Sequence, residues 1–394
     1  MKITIPHGAQ RIISTLHADG FEAVIVGGCV RDHLLGRTPG DYDIATSATP
    51  EEVISTFKGF TVVPTGVQHG TVTVVISGTN YEVTTYRIDG DYADGRRPDN
   101  VTFTPSLYED LKRRDFTVNA FAYSNETGLV DHFNGTDDLT ARTIRCVGNP
   151  NQRFAEDYLR MLRAFRFAAV LDFTIDEETL AAIHTTKHRI TAISAERIRM
   201  ELDKLLLSSN FPVIQQFLNE FAEIILPEAM PDMAVLQRAE NALCQRIAAL
   251  FHNCPNTEKT AVITLRRLKY DNATIDLTCA IITSRHANFI PNKPTMKRLL
   301  RDFGNHTKRC IAYFAASNPE KSDIAAKCLE ITSQIIENNE PYTIAHLDIN
   351  GTDVIAAGIP PGREVGNTLA FLLEKVIDEP ALNCKQALLK LVPK

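Results

Sequence analysis

The sequence predicts an α+β fold: a mixed head of strands and helices over residues 1–145, then an all-helical remainder to residue 394. Three observations predict it. Segments rich in Val, Ile and Thr and closed by glycine, the pattern of strands, fall only in the head. From about residue 150 that signal vanishes and helical periodicity replaces it. A chain of 394 residues also exceeds one ordinary core, so several domains are expected.

Taken in order, residues 7–18 read as a helix, and "FEAVIVGG" (21–28) as a strand ended by Gly27 and Gly28, with a helix starting near Val30. "GDYDIATSAT" (40–49) carries Asp41 and Asp43 on a strand end. Side chains two apart on a strand share a face, so these carboxylates stand side by side. Thr49 as cap and Pro50 at the first position open a helix over 50–57. "GTVTVVISG" (70–78) and "YEVTTYRI" (81–88) read as strands. Beyond them, "RFAEDYLRMLRAFRFAAVL" (153–171), "SAERIRMELDKLLLS" (194–208), "FPVIQQFLNEFAEII" (211–225) and "DMAVLQRAENALCQRIAALF" (232–251) are helical in period.

Hydrophobic content of 44% and charged content of 23% are those of a soluble globular chain. A net charge of −6 argues against indiscriminate nucleic-acid binding. Local basic clusters occur at "KRRD" (112–115), "RRLK" (266–269) and "KRLLRD" (297–302), each more often a solvated helix face than a binding site. The eight cysteines are scattered singly, which disfavours a zinc site or a disulfide framework and suits free thiols in a cytoplasmic protein. The N-terminal stretch has no continuous apolar core, so no signal peptide is expected, and no apolar run is long enough to span a bilayer.

Three constellations carry chemistry. The Asp41–Asp43 pair would repel itself unless a cation lay between the carboxylates, and a divalent metal ion is the candidate. Two Mg²⁺ ions held this way beside a phosphate cradle make the parts of nucleotidyl transfer. Glu82 is the candidate third carboxylate, with an edge-strand solubility charge an equal alternative. Gly27 and Gly28 at a strand–helix junction offer backbone N–H groups to phosphate, with Arg31 close by. In "EDLKRRDFTVNAFAY" (109–123), Arg113 and Arg114 suit phosphate while Asp115 and Asn119 suit ribose hydroxyls, the alternative being a helix start with Asp115 near its first turn.

Read as one helix, residues 153–167 place Glu156, Asp157, Arg160, Arg163, Ala164 and Phe167 on a roughly 120° arc. An Asp–Arg pair at i, i+3 can be a simple helix salt bridge, but this face is crowded with arginine and carries a ring suited to stacking a base. Facing a base edge, carboxylate accepts and guanidinium donates. Cytosine and adenine offer an amino donor beside acceptors, whereas uracil and guanine present a carbonyl. Asp157 with Arg160 would therefore admit C and A and reject U and G.

"GGCVRD", "GDYDIATSATPEEV", "TGVQHGTVTVV", "RRDFTVNAFAY", "DHFNGTDDL" and "RFAEDYLRMLRAFRF" closely resemble, in order, the motifs of class II CCA-adding enzymes of the poly(A) polymerase family, bacterial type. "INGTDVIAAGIPPGREVG" (349–366) is similar to the end of bacterial members. The resemblance implies a seahorse-shaped protein with a nucleotidyltransferase palm in the head (1–145), a base-reading neck (146–205), a helical body (206–310) and a tRNA-binding tail (311–394). It implies that Asp41 and Asp43 bind Mg²⁺, that Gly27, Gly28 and Arg31 hold the triphosphate, and that Arg114 lies near phosphate. Asp115 and Asn119 match ribose-reading positions, Asp157 and Arg160 the base-reading pair, and Glu156 the neighbour that steadies the arginine. Asp131, Gly135 and Asp138 fall in a hinge motif.

The implied activity is addition of C, C and A to the 3′ end of tRNA from CTP and ATP. CC-only relatives lack a loop that "RIDGDYADGRRPDNVTF" (87–103) fills here, and an A-only enzyme keeps so similar a pattern that it stays open. Loss of chemistry in a tRNA-binding homologue would show as a broken Asp-x-Asp, which is intact. A dinucleotide oxidoreductase would want G-x-G-x-x-G, absent after the first strand. In "ALFHNCPN" (249–256), His252 is followed by Asn rather than Asp, so a metal-dependent phosphohydrolase site is not expected.

Overall fold

The structure, a computed structural model, describes residues 3–90 and 101–393. The chain divides into two compact units, Met1–Ile225 and Leu226–Lys394. Among the described residues no helix is long and apolar enough to cross a membrane.

The first unit begins α1 (His7–Ala18), β1 (Ala23–Val26), α2 (Gly28–Leu34), β2 (Asp43–Thr46), α3 (Pro50–Thr56), β3 (Thr61–Gly66), β4 (Thr71–Ile76) and β5 (Thr79–Thr85). It continues β6 (Arg87–Asp89), β7 (Val101–Phe103), α4 (Leu107–Lys112), β8 (Phe121–Ser124), β9 (Gly128–Asp131) and α5 (Gly135–Ala141). Seven strands form one mixed sheet in the order β3-β4-β5-β2-β1-β8-β9. All four residues of β1 are buried, as its unbroken Ala-Val-Ile-Val run requires of a central strand. The helix opening at Thr49 is built as its sequence demands: Thr49 Oγ1 accepts from the Glu52 amide, and Glu52 reaches back to the Thr49 amide at 2.8 Å.

Register places the sheet's functional end. β1 runs antiparallel to β2 with Val26 opposite Asp43, and antiparallel to β8 with Val26 opposite Ala122. β2 runs parallel to β5 with Ile44 opposite Val83, so Asp43 and Glu82 precede neighbouring positions on adjacent strands. The Gly27 amide donates to the Phe121 carbonyl at 2.9 Å. Asp43, the Gly27 turn and the start of β8 therefore meet at one edge of the sheet.

After β10 (Thr143–Ile144) come α6 (Pro150–Glu156), α7 (Leu159–Leu171), β11 (Thr174–Ile175), α8 (Glu177–Thr186), α9 (Ala195–Leu206) and α10 (Phe211–Ile225). Two sequence expectations need correction. β10 and β11 form a parallel pair beyond the point where strand signals vanish; with two residues each they are too short to show a period. The helix expected across 153–167 is broken, because Asp157 adopts an extended conformation (φ −146°, ψ 105°) and its carboxylate accepts from the Leu159 amide at 3.1 Å to start α7. The broken geometry removes the single 120° arc.

The second unit holds α11 (Met233–Arg238), α12 (Leu243–Leu250), α13 (Thr257–Arg267), α14 (Asn272–Thr283), α15 (Lys293–Phe303), α16 (Thr307–Ser317), α17 (Ser322–Glu337), α18 (Gly351–Ala356), α19 (Arg363–Asp378) and α20 (Lys385–Leu391). Leu347, Val354, Leu372, Val376 and Leu388 belong to one apolar cluster among its last helices. "KRLLRD" is consumed internally: buried Lys297 pairs with Glu340 at 3.0 Å, and Arg298 with Glu374 and Asp378 at 2.8 and 2.7 Å.

α7 and α10 meet through Phe165, Phe217 and Phe221, with ring centroids 5.5–5.9 Å apart and the Phe217–Phe221 pair stacked. Replacing Phe217 by Ala should cost about 3–5 kcal/mol in urea unfolding, the usual penalty for deleting a buried ring. A loss below about 1 kcal/mol would show that these rings do not hold the two helices together.

Candidate active site

A cleft of about 470 Å³ lies at the sheet edge where Asp43 meets the Gly27 turn. Gly27 cannot carry a side chain: its φ is +74°, and a Cβ there would lie 2.7 Å from the Arg114 guanidinium. A Cβ on Gly28 would meet only Arg31, at an ordinary 3.6 Å, so Gly28 leaves the turn open rather than shaping it. Asp41 and Asp43 line the same cleft.

Burial, and after it the negative charge of Asp41, push the Asp43 carboxyl above the usual carboxylate range; Glu82 adds to the rise and Arg114 opposes it. Among the described residues no ion pair relieves Asp41, Asp43 or Glu82. This is the electrostatics of a cation site, and Asp41 and Asp43 could share a divalent ion. No group of three or more His, Cys, Asp or Glu converges as a metal cage among the described residues, so Glu82 does not complete a trio here. Mg²⁺ commonly takes one or two carboxylates and fills its shell with water and substrate phosphates. Cys29 beside Asp43 is no nucleophile, since burial and the Asp43 charge push its thiol up to about 12.

The floor of the cleft is a chain of four side chains. Arg31 donates to Asn119 Oδ1 at 2.5 Å, and Asn119 Nδ2 donates to Asp115 Oδ1 at 3.1 Å. Arg163, from α7, donates to Asp115 Oδ2 at 2.8 Å. The Phe116 amide adds a further bond to Asp115 at 2.9 Å. Burial would raise the Asp115 carboxyl, but the Arg163 and Arg160 charges and these hydrogen bonds outweigh it and hold it down at about 2.

Every cleft arginine is anchored to an acid. Arg113 and Arg114 pair with Asp110, a carboxylate 1% exposed, at 2.9 and 3.4 Å. Arg160 bonds Glu156 and the carbonyls of Arg153 and Arg113. Arg166 bonds Glu201 of α9 at 2.7 Å and lies 3.6 Å from the Phe167 centroid. Arg31 and Arg163 also flank that ring, at 5.3 and 5.1 Å, and Phe116 meets it edge-on. Phe167, 7% exposed, is therefore a platform for guanidiniums and not the free stacking face expected of it.

The structure brings together Gly27, Gly28, Arg31, Asp41, Asp43, Arg114, Asp115, Asn119, Arg160 and Arg163 along one cleft. Glu82, Glu156 and Asp157 stand outside its lining. Asp157 is held by Arg197 of α9, at 2.7 and 3.3 Å, so in this conformation its carboxylate is already engaged. The residues expected in a hinge motif are tied to the turn and helix around them. Asp131 accepts from the Gly135 and Thr136 amides, both at 2.9 Å, and so caps α5. A Cβ on Gly135 would lie 2.5 Å from the Thr117 carbonyl, and Asp138 accepts from Thr117 Oγ1 at 2.6 Å. These contacts pin the turn that carries Asn119. Most of the loop expected to exclude a CC-only enzyme, at 91–100, falls outside the described residues.

Sequence reasoning passed over Asp110, Glu201 and Arg197. Asp110 was within reach, being three and four residues before Arg113 and Arg114 on a helix end. Glu201 and Arg197 meet their partners only through the packing of α7 against α9, at separations of 35 and 40 residues.

Residues 23–145 match the family described as Poly A polymerase head domain, 172–233 the RNA and SrmB-binding site of polymerase A, and 242–392 tRNA nucleotidyltransferase domain 2. The CCA-adding enzyme of Enterococcus faecalis is 35% identical, over 100% of this chain and 98% of the relative. The chain belongs to the CCA-adding enzyme family. The CCA-adding enzyme of Levilactobacillus brevis is 37% identical, over 98% of this chain and 96% of its own. The crystal structure of the Bacillus stearothermophilus CCA-adding enzyme in complex with CTP superposes with a TM-score of 0.84 at 31% identity, covering 99% of this chain and 97% of that one. The CCA-adding relatives thus span both units, the helical second one included.

A carboxyl held below its ordinary value stabilises the fold above that value and loses the effect as it protonates. The Asp115 contribution should be complete above about pH 4 and disappear as pH falls toward 2. In acid titrations of stability, Asp115→Asn should flatten this limb relative to the unaltered chain. An unchanged limb would contradict the pairing with Arg163.

Proposed function

We infer that this protein is a tRNA nucleotidyltransferase that adds C, C and A to the 3′ end of tRNA, using CTP and ATP and releasing pyrophosphate. The carrying observation is the Asp41–Asp43 pair beside a side-chain-free glycine turn in an arginine-lined cleft, in a chain that CCA-adding enzymes match along its whole length.

Mg²⁺ bound by Asp41 and Asp43, with Glu82 nearby, would activate the tRNA 3′-hydroxyl and neutralise charge on the departing pyrophosphate. The chain's own residues do the positioning. Gly27 and Gly28 let the triphosphate approach the backbone, and Arg31 and Arg114 bind its oxygens through guanidinium forks. Asp115 and Asn119 read the ribose hydroxyls, with Arg163 fixing Asp115. Asp157 and Arg160 select the base, admitting C and A by donor–acceptor polarity, and Glu156 orients Arg160. Selection requires Asp157 to exchange Arg197 for the base edge. Asp131, Gly135 and Asp138 couple the Asn119 turn to α5, so that the ribose site moves with the head. Head (1–145), neck (146–205), body (206–310) and tail (311–394) divide this work, the last three gripping tRNA in the cytoplasm.

Purified protein with Mg²⁺ should extend a tRNA ending at its discriminator base by three nucleotides when given CTP and ATP. Extension only by A, and only of a CC-ended tRNA, would make it an A-adding enzyme. Asp41→Ala should lower the rate by at least about 10³-fold without unfolding the chain; near-normal activity would contradict the metal assignment. Asp157→Ala should raise UTP or GTP incorporation relative to CTP and ATP. A uniform loss of rate with discrimination intact would remove the base-reading role.

A further inference from the structure

The second unit has a polar cavity that the catalytic reading does not use. About 430 Å³ in volume, it is lined by His252, Asn253, Arg285, Phe314, Ser317 and Asn318, among others. A second cavity of about 630 Å³ shares Arg285 in its wall. His252 thus gains a setting that its sequence context did not suggest.

Arg285 differs from every arginine of the catalytic cleft. Those all pair with a carboxylate, whereas Arg285 is half-buried and bonds the His252 backbone carbonyl, with no ion-pair partner among the described residues. A guanidinium has five N–H donors, and one carbonyl leaves most of them for another acceptor. Removing such a charge from water without a counterion is costly, so the arrangement favours an anion. His252 extends the donor set. Its Nδ1 lies 3.0 Å from the hydroxyl of buried Tyr313; with the phenol as donor, the neutral ring carries its proton on Nε2. Burial, then the nearby charges of Arg285 and Arg238, hold the His252 imidazole below its ordinary value, partly offset by Asp232. Ser317 and Asn318 add a hydroxyl and an amide, and no Asp or Glu lines this cavity.

We propose that the His252–Arg285 cavity is a second anion site, binding a phosphate group. The group is either that of a small free phosphate such as pyrophosphate or a backbone phosphate of RNA. The proposal is independent of the catalytic assignment.

Calorimetric titration of the full chain with inorganic pyrophosphate, and binding of an acceptor-stem RNA hairpin, would each be measured for four proteins: unaltered, Arg285→Gln, Asn253→Asp and Arg31→Gln. Asn253 is exposed, so its variant brings a negative charge to the cavity mouth without disturbing the Arg285–His252 contact. A pyrophosphate site weakened at least tenfold by Arg285→Gln and by Asn253→Asp, but kept in Arg31→Gln, supports the free-phosphate source. RNA binding weakened at least fivefold by the same two variants, with pyrophosphate binding unaltered, supports the backbone source. If Asn253→Asp leaves both affinities unchanged, the cavity is not an anion site, whatever becomes of Arg285→Gln.

Discussion

The buried chain Arg31–Asn119–Asp115–Arg163 is the interaction on which the rest of the cleft depends. It joins α2, the turn before β8 and α7. Asp115 is the pivot, since one carboxylate receives donors from both sides and is held ionised by them. Without that negative charge, the ion pair left to Arg163 among the described residues would be the longer one to Glu201, at 3.9 Å. The strand register then does the remainder: it brings Asp43 level with the end of β1, so the unrelieved carboxylates face a wall of guanidiniums.

The charge arrangement has a consistent logic. Each cleft arginine is fixed by an acid set back from the opening: Asp110 behind Arg113 and Arg114, Glu156 behind Arg160, Glu201 behind Arg166. Such pairing limits the cost of gathering six guanidiniums in one cleft. The acids Asp41 and Asp43 are the exception. Among the described residues they have no such partner, and burial together with the Asp41 charge raises the Asp43 carboxyl. On the proposed reading, two carboxylates that repel each other become complementary to a cation and a triphosphate, which trades stability for function.

Much of this was legible in the sequence. The glycine turn, the Asp-x-Asp and the Thr49 cap are local devices whose residues and spacing state their geometry. So is the arginine–aspartate run at 113–115. Most of what escaped was non-local, with the break at Asp157 the local exception. The break at Asp157 depends on a side chain capping its own helix, which periodicity reads as continuous helix. The covering of Phe167 by Arg166, and the capture of Asp157 by Arg197, arise from the packing of α7 on α9. The charge run at 297–302 read as a solvated or RNA-binding face, yet Lys297, Arg298 and Arg301 find acidic partners 43 to 80 residues downstream, within their own unit.

The central claim is that Asp41 and Asp43 are mutually repulsive carboxylates built to share a cation. The most direct measurement is thermal unfolding of the unaltered chain and of Asp43→Asn, each with and without Mg²⁺. The account predicts that without metal Asp43→Asn melts higher than the unaltered chain, and that only the unaltered chain gains stability when Mg²⁺ is added. Equal gains in both proteins, or a metal-free variant that melts lower, would contradict it.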